Sequence, residues 1–133
     1  MQGVVVGCDS MQQWLLPWWW RHYSQFSSYP VAFIDMGMTK EAVDWCKTRG
    51  FYIPLSEVPY RETREVSTLF ARYGKIPAKI RSAWLKKPYA LKSSPFIQSV
   101  WIDLDCQVKA DIAPLFHLLS LDVEIALAEF ATI

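Results

Sequence analysis

At 133 residues with 52% hydrophobic side chains, the chain has the length of one compact domain and can bury most of the surface its unfolded form exposes. Aromatic residues make up 15%, including seven Trp, and no stretch is dominated by Ser, Gln or Pro, which excludes a disordered or low-complexity protein. A net charge of +1 argues against a general polyanion binder, so nucleic acid is not an expected partner.

Residues 3–7 (GVVVG) read as a strand, a short β-branched run bounded by glycines. Cys8-Asp9-Ser10 follows as a loop in which Asp9 or Ser10 can cap a helix. Residues 11–26 supply that helix, with Trp14 and Trp18 on one face at i,i+4 spacing and Pro17 either kinking it or lying in its first turn. Residues 30–36 (PVAFIDM) form a second apolar run. Residues 39–49 then carry a helical pattern, with Thr39 as cap, Val43, Trp45 and Cys46 inward, and Gly50 ending it.

A third strand is expected over residues 51–55 (FYIPL), confined by Pro54 to an edge or a strand end. Helices are expected over residues 65–73 and 77–85. Residues 98–103 (QSVWID) read as a buried strand closing on Asp103-Leu104-Asp105, and residues 112–119 as a short helix opened by Asp111 and Pro114. Residues 123–130 (VEIALAEF) are the last expected strand. Strands alternating with helices predict an α/β fold, one domain over residues 1–133, with a mostly parallel sheet carrying helices on both faces. The last strand has no helix after it, so the expectation is a truncated domain.

The longest apolar run, residues 14–20, is broken by Pro17 and falls well short of the roughly 20 residues needed to cross a bilayer. Met1-Gln2-Gly3 offers no cationic leader region, and Val4-Val5-Val6 is too short for the apolar one. Three cysteines, Cys8, Cys46 and Cys106, are an odd count at wide spacing without a CxxC pair. A cytoplasmic, reduced protein without a membrane span is the expectation.

Asp103 and Asp105 end an apolar strand, and ligands of open parallel sheets bind at the carboxyl ends of strands. As the strand loosens into a loop, both carboxylates can turn toward one ligand, and two like charges there call for a cation or hydrogen-bond donors. Mg²⁺ and Mn²⁺ take oxygen ligands and are commonly completed by phosphate oxygens, so a metal–diphosphate fits the pair. The bland alternative has Asp103 ending the strand and Asp105 capping a turn, both solvated. Between Glu65 and Asp103 there is no acidic residue, yet seven of the fourteen cations fall there. Lys86 and Lys87 are the nearest for phosphate contact, and a solvated helix face accounts for either equally well. In the loop Gly7-Cys8-Asp9-Ser10 the glycine lets backbone approach a nucleotide and a polar side chain can reach base or ribose. A plain turn at Gly7 with Ser10 as helix cap explains the same residues. His22 and His117 stand alone, and the tryptophans at 18–20 read as core or as an interface.

The run KKPYALKSSPFIQSVWIDLDCQVKADIAPLF, with the earlier order of strand, DS loop, helix, strand and helix, resembles glycosyltransferases of the GT-A fold. The likeness is to the family-eight-like galactosyl and glucosyl transferases and the related α-mannosyltransferases. Lys87 to Phe116 carries the specific block, which is Lys-Pro-x-Ala-Leu-x-x-Ser-x-Phe, an apolar strand, Asp-x-Asp, then Asp-Ile-x-x-Leu-Phe. The resemblance implies a Rossmann-like GT-A fold and transfer of a hexosyl group from a UDP- or GDP-sugar to an unknown acceptor. It implies Mn²⁺ or Mg²⁺ as cofactor, Asp103 touching ribose and metal, and Asp105 ligating the metal. Gly7, Cys8, Asp9 and Ser10 take the nucleotide-loop positions, and Lys86 or Lys87 that of a basic donor-binding residue. A full GT-A domain is about twice this length, at roughly 250 residues. The later half, with acceptor contacts and a third metal ligand, has no counterpart here, and His117 follows the DxD too soon to serve. The expectation is a donor-binding half.

Two other readings remain open. WIDLDCQV also suits the Asp-x-Asp-x-x-Val nucleophile motif of haloacid-dehalogenase-like phosphatases, although too few residues follow Asp105 for the rest of that fold. A non-catalytic binding or assembly module could retain the fold and self-associate into a homo-oligomer through an aromatic surface.

Overall fold

The structure, a computed structural model, describes residues 1–55, 78–119 and 123–127. The helix expected over residues 65–73 lies outside them. Four strands form one sheet in the order β3-β2-β1-β4: β1 (Gln2–Cys8), β2 (Val31–Asp35), β3 (Phe51–Pro54) and β4 (Gln98–Trp101). Every pairing is parallel, with Val4 opposite Val31, Val4 opposite Val100, and Ala32 opposite Phe51. Helices α1 (Leu16–Phe26), α2 (Lys40–Lys47), α3 (Ala78–Lys92) and α4 (Ala113–Phe116) complete the described elements. The described residues are therefore α/β, and their four strands are all parallel, within the mostly parallel sheet expected.

Side chains of a strand alternate between faces, and the two cores follow that alternation. Val4, Val6, Cys8, Val31 and Phe33 pack with Leu16, Trp19 and Tyr23 of α1, Ala42 and Cys46 of α2, and Phe116 of α4. Val5, Ala32 and Ile34 face the other way and meet Ala90 of α3, with Phe96 beside them. Helices thus cover both faces. Burial on both sides is why β1 and β2 are continuous apolar runs.

A short 3₁₀ turn, Gln13–Leu15, precedes α1, and Pro17 lies in the helix's first turn, where a missing N–H costs nothing. The helix presents Trp19, Leu16 and Tyr23 to the core, with Trp19 stacked on Tyr23 at 4.8 Å. Trp14 and Trp18, expected on one face, both turn toward solvent, and Trp14 is 73% exposed. Trp14 lies in the 3₁₀ turn before the helix begins, so the helical i,i+4 relation does not join it to Trp18. α2 starts as expected, with Thr39 Oγ1 accepting from the N–H of Ala42. Gln13 ties it to the preceding turn: its Nε2 donates to Thr39 Oγ1 and its Oε1 accepts the Thr39 N–H, both at 3.0 Å.

The helix expected over residues 11–26 begins only at Leu16, and that expected over residues 112–119 spans Ala113–Phe116. α3 runs on to Lys92 through Pro88, seven residues beyond the expected end. β4 stops at Trp101, so Asp103 lies past the strand. The strand expected over residues 123–130 is not formed in its described part: Val123 makes a single bridge, and Ile125 and Leu127 are exposed to 74% and 88%. An apolar run becomes a strand only where a neighbouring edge accepts its hydrogen bonds. Residues 128–130 lie outside the described residues.

Candidate functional site

From β1 the chain steps outward to β2 and β3, then crosses back to the far side of β1 to make β4. The order reverses between β1 and β4, and the crevice beyond their carboxyl ends is where open parallel sheets hold ligands. Both sequence-predicted clusters lie at these ends: residues 7–10 on β1, residues 103–105 after β4.

On the β1 side, any side chain at position 7 would force its neighbours to shift. A Cβ on Gly7 would lie 2.5 Å from Met36 Sδ and 2.7 Å from Trp101 Cη2, so the glycine makes room for an indole laid across the sheet. Cys8 points into the opposite core. Burial first, then the charges of Cys46, Asp9 and Asp35, pushes its thiol far above the ordinary range and keeps it protonated. Asp9, rather than Ser10, caps the turn that follows: its Oδ1 accepts from the N–H groups of Met11 at 2.9 Å and Gln12 at 3.0 Å. Ser10 is exposed.

After β4 the chain closes a turn in which Cys106 N–H donates to the Asp103 carbonyl at 3.0 Å. Leu104, at the second position of that turn, is buried, and Val108, Ile112 and Phe116 anchor the chain beyond it in the α1-side core. Asp105 is exposed at the third position. Asp103 is half-buried and held by two donors on one oxygen: Lys87 Nζ at 2.7 Å and Trp101 Nε1 at 2.8 Å both reach Oδ1. Burial raises its carboxyl, but the hydrogen bonds of Lys87 and Trp101 and the lysine's charge outweigh that, leaving it below the ordinary value. The Lys87 ammonium also stands 6.0 Å from the centre of the Trp101 ring. The structure therefore joins Lys87, Trp101 and Asp103 and, through the indole, Gly7.

Lys86 makes no polar contact with a described residue. His22 and His117 lie away from this end, and His22 Nδ1 is 2.8 Å from the Trp18 carbonyl of its own helix. No family model, no curated protein and no solved structure matches the chain.

Two features at the site escaped the sequence reading. In the sequence Trp101 is part of an apolar strand, and its spacing of two from Asp103, which puts both on one side of an extended chain, is the signal that links them. Asp35, at the end of β2, was not singled out. Its Oδ1 accepts from the N–H groups of Gly37 at 2.8 Å and Met38 at 2.7 Å, and its Oδ2 from the Tyr52 hydroxyl at 2.7 Å. Gly37 has φ of +119°, a conformation open to glycine. Asp followed by Met-Gly at the end of an apolar run was the available signal.

The donor set at Asp103 and Asp105 suits a hard divalent cation in kind, since both are carboxylates. No group of three or more His, Cys, Asp or Glu side chains that could hold a metal ion comes together among the described residues. Both donors on Asp103 use Oδ1, and its Oδ2 accepts no hydrogen bond from a described residue. No helix among the described residues is long and apolar enough to cross a membrane.

Proposed function

We propose that the chain is the donor-binding part of a metal-dependent glycosyltransferase of the GT-A fold, taking a UDP- or GDP-sugar with Mn²⁺ or Mg²⁺. The observation that carries this reading is the meeting of a carboxylate, Asp103, and an ammonium, Lys87, beside the exposed Asp105 at the point where the strand order reverses. Such a crevice is where nucleotides lie in parallel sheets, and mixed charges there match a ligand that is half cation and half diphosphate. The strand order supports it further, since 3-2-1 is the order of one mononucleotide-binding half and β4 lies across the switch point, where the other half begins.

In this reading Asp103 and Asp105 hold the cation, Lys87 meets a phosphate oxygen, and the loop over residues 7–10 borders the base and ribose. The cation would offset the charge that develops on the leaving diphosphate. The bond from the anomeric carbon to the diphosphate oxygen breaks, and the diphosphate leaves with the electron pair. The acceptor hydroxyl oxygen forms the new bond to the anomeric carbon, and its proton passes to the leaving diphosphate or to solvent.

Thermal melting tests the reading. A ligand that binds only the folded chain at a hundredfold excess over its Kd adds about 2.7 kcal/mol. For this size that is a rise of roughly 10 °C, expected for Mn²⁺ with UDP or GDP together and far smaller for either alone. No rise with any combination would contradict it. Exposed Trp14, Ile125 and Leu127 favour the assembly module as a second reading, which expects concentration-dependent self-association and no response to nucleotide.

A further inference from the structure

We propose that Lys87 is a built-in counter-cation that closes the Asp103 side of the site in the free protein and passes to the diphosphate when metal and nucleotide enter together. The inference rests on the reading of the site given above and adds an order to it.

Three contacts carry it. Lys87 Nζ and Trp101 Nε1 share Oδ1 of Asp103 at 2.7 and 2.8 Å. The indole is wedged across Gly7 beside Met36, so it is a fixed donor that keeps the carboxylate aimed as it is. The ammonium sits on a flexible four-carbon stem and is 40% exposed, so it is the donor able to leave.

Charge then decides the sequence of events. In the free protein the lysine offsets one of the two negative charges at positions 103 and 105. A divalent cation arriving alone would have to sit beside that ammonium or displace it without a new partner, and like charges at this range disfavour each other. A nucleoside diphosphate arriving alone would face two carboxylates. Together they resolve both conflicts, because phosphate oxygens accept the displaced ammonium while the carboxylates take the cation. Metal and nucleotide therefore bind with strong positive coupling, and by linkage each tightens the other by the same factor.

Titration of the full chain with Mn²⁺, followed by the electron paramagnetic resonance signal of the free ion, tests this with and without UDP or GDP. For the wild type, Mn²⁺ alone binds weakly and nucleotide tightens it by about tenfold or more. In Lys87→Met, Mn²⁺ alone binds several-fold tighter than in the wild type and the enhancement by nucleotide shrinks. Lys87→Arg keeps the charge and the wild-type pattern. Lys87→Gln is a second neutral replacement, and the melting temperature without ligand identifies a variant that has lost its fold. Wild-type coupling with no tightening of Mn²⁺ in either neutral variant overturns the role of Lys87 and leaves the site reading standing. A wild type that takes up no Mn²⁺ even with nucleotide overturns both.

Discussion

Asp35 shows how a single carboxylate can organise one end of the sheet. It gathers two backbone N–H groups and the Tyr52 hydroxyl, joining the ends of β2 and β3. Its burial raises the carboxyl, yet donation from Met38, Tyr52 and Gly37 outweighs this and holds it below its ordinary 3.8. A depressed carboxyl stabilises the fold fully above its unfolded value and loses that contribution as pH falls through its folded value. Asp35→Ala should therefore cost about 1–3 kcal/mol at neutral pH. The gap to the wild type, measured by urea unfolding, should narrow as pH drops below 3.8. A gap that stays constant would mean the ionised carboxylate is not what holds the turn. Gly7 makes a steric case: Gly7→Ala forces a methyl against Trp101, whose indole is tied to Asp103, and overpacking of this kind costs about 1–3 kcal/mol. The same variant should weaken nucleotide-dependent Mn²⁺ uptake, since moving Trp101 moves the carboxylate it holds. An unchanged melting temperature and unchanged uptake would count against that linkage.

Among the elements, those with strong local signals were legible and those settled by neighbours were not. β1, β2 and α2 follow from a β-branched run, an apolar run, and a Thr39 cap followed by a 3.6-residue pattern. Asp103 and Lys87 could be named as candidates from the sequence; their contact could not, because sixteen residues and a strand separate them. Nor could the fate of residues 123–127 be read, since alternation cannot say whether a strand will find an edge. The helix after β1 shows the same limit, as identical residue types sorted themselves by where the helix began. Trp19 is fully buried while Trp14 is 73% exposed. Trp19→Ala should lose about 3–5 kcal/mol, whereas Trp14→Ala should stay within about 0.5 kcal/mol. Comparable losses at both positions, in chemical denaturation, would show that Trp14 has a partner the described residues do not supply.

Across the whole molecule, topology and charge converge on one crevice. The strand order reverses between β1 and β4, and the acid-free stretch before Asp103 supplies α3 with the lysine that reaches that carboxylate. The proposed ligand of that end of the sheet, a metal with a nucleoside diphosphate, can be tested without an acceptor. The most direct measurement is calorimetric binding of UDP and GDP in the presence of Mn²⁺, to the wild type and to a variant with Asp103→Asn and Asp105→Asn together. Metal-dependent nucleotide binding by the wild type, lost in a double variant that still folds, is the predicted result. Equal affinity in the two proteins would contradict the central claim that these two carboxylates hold the cation against a diphosphate.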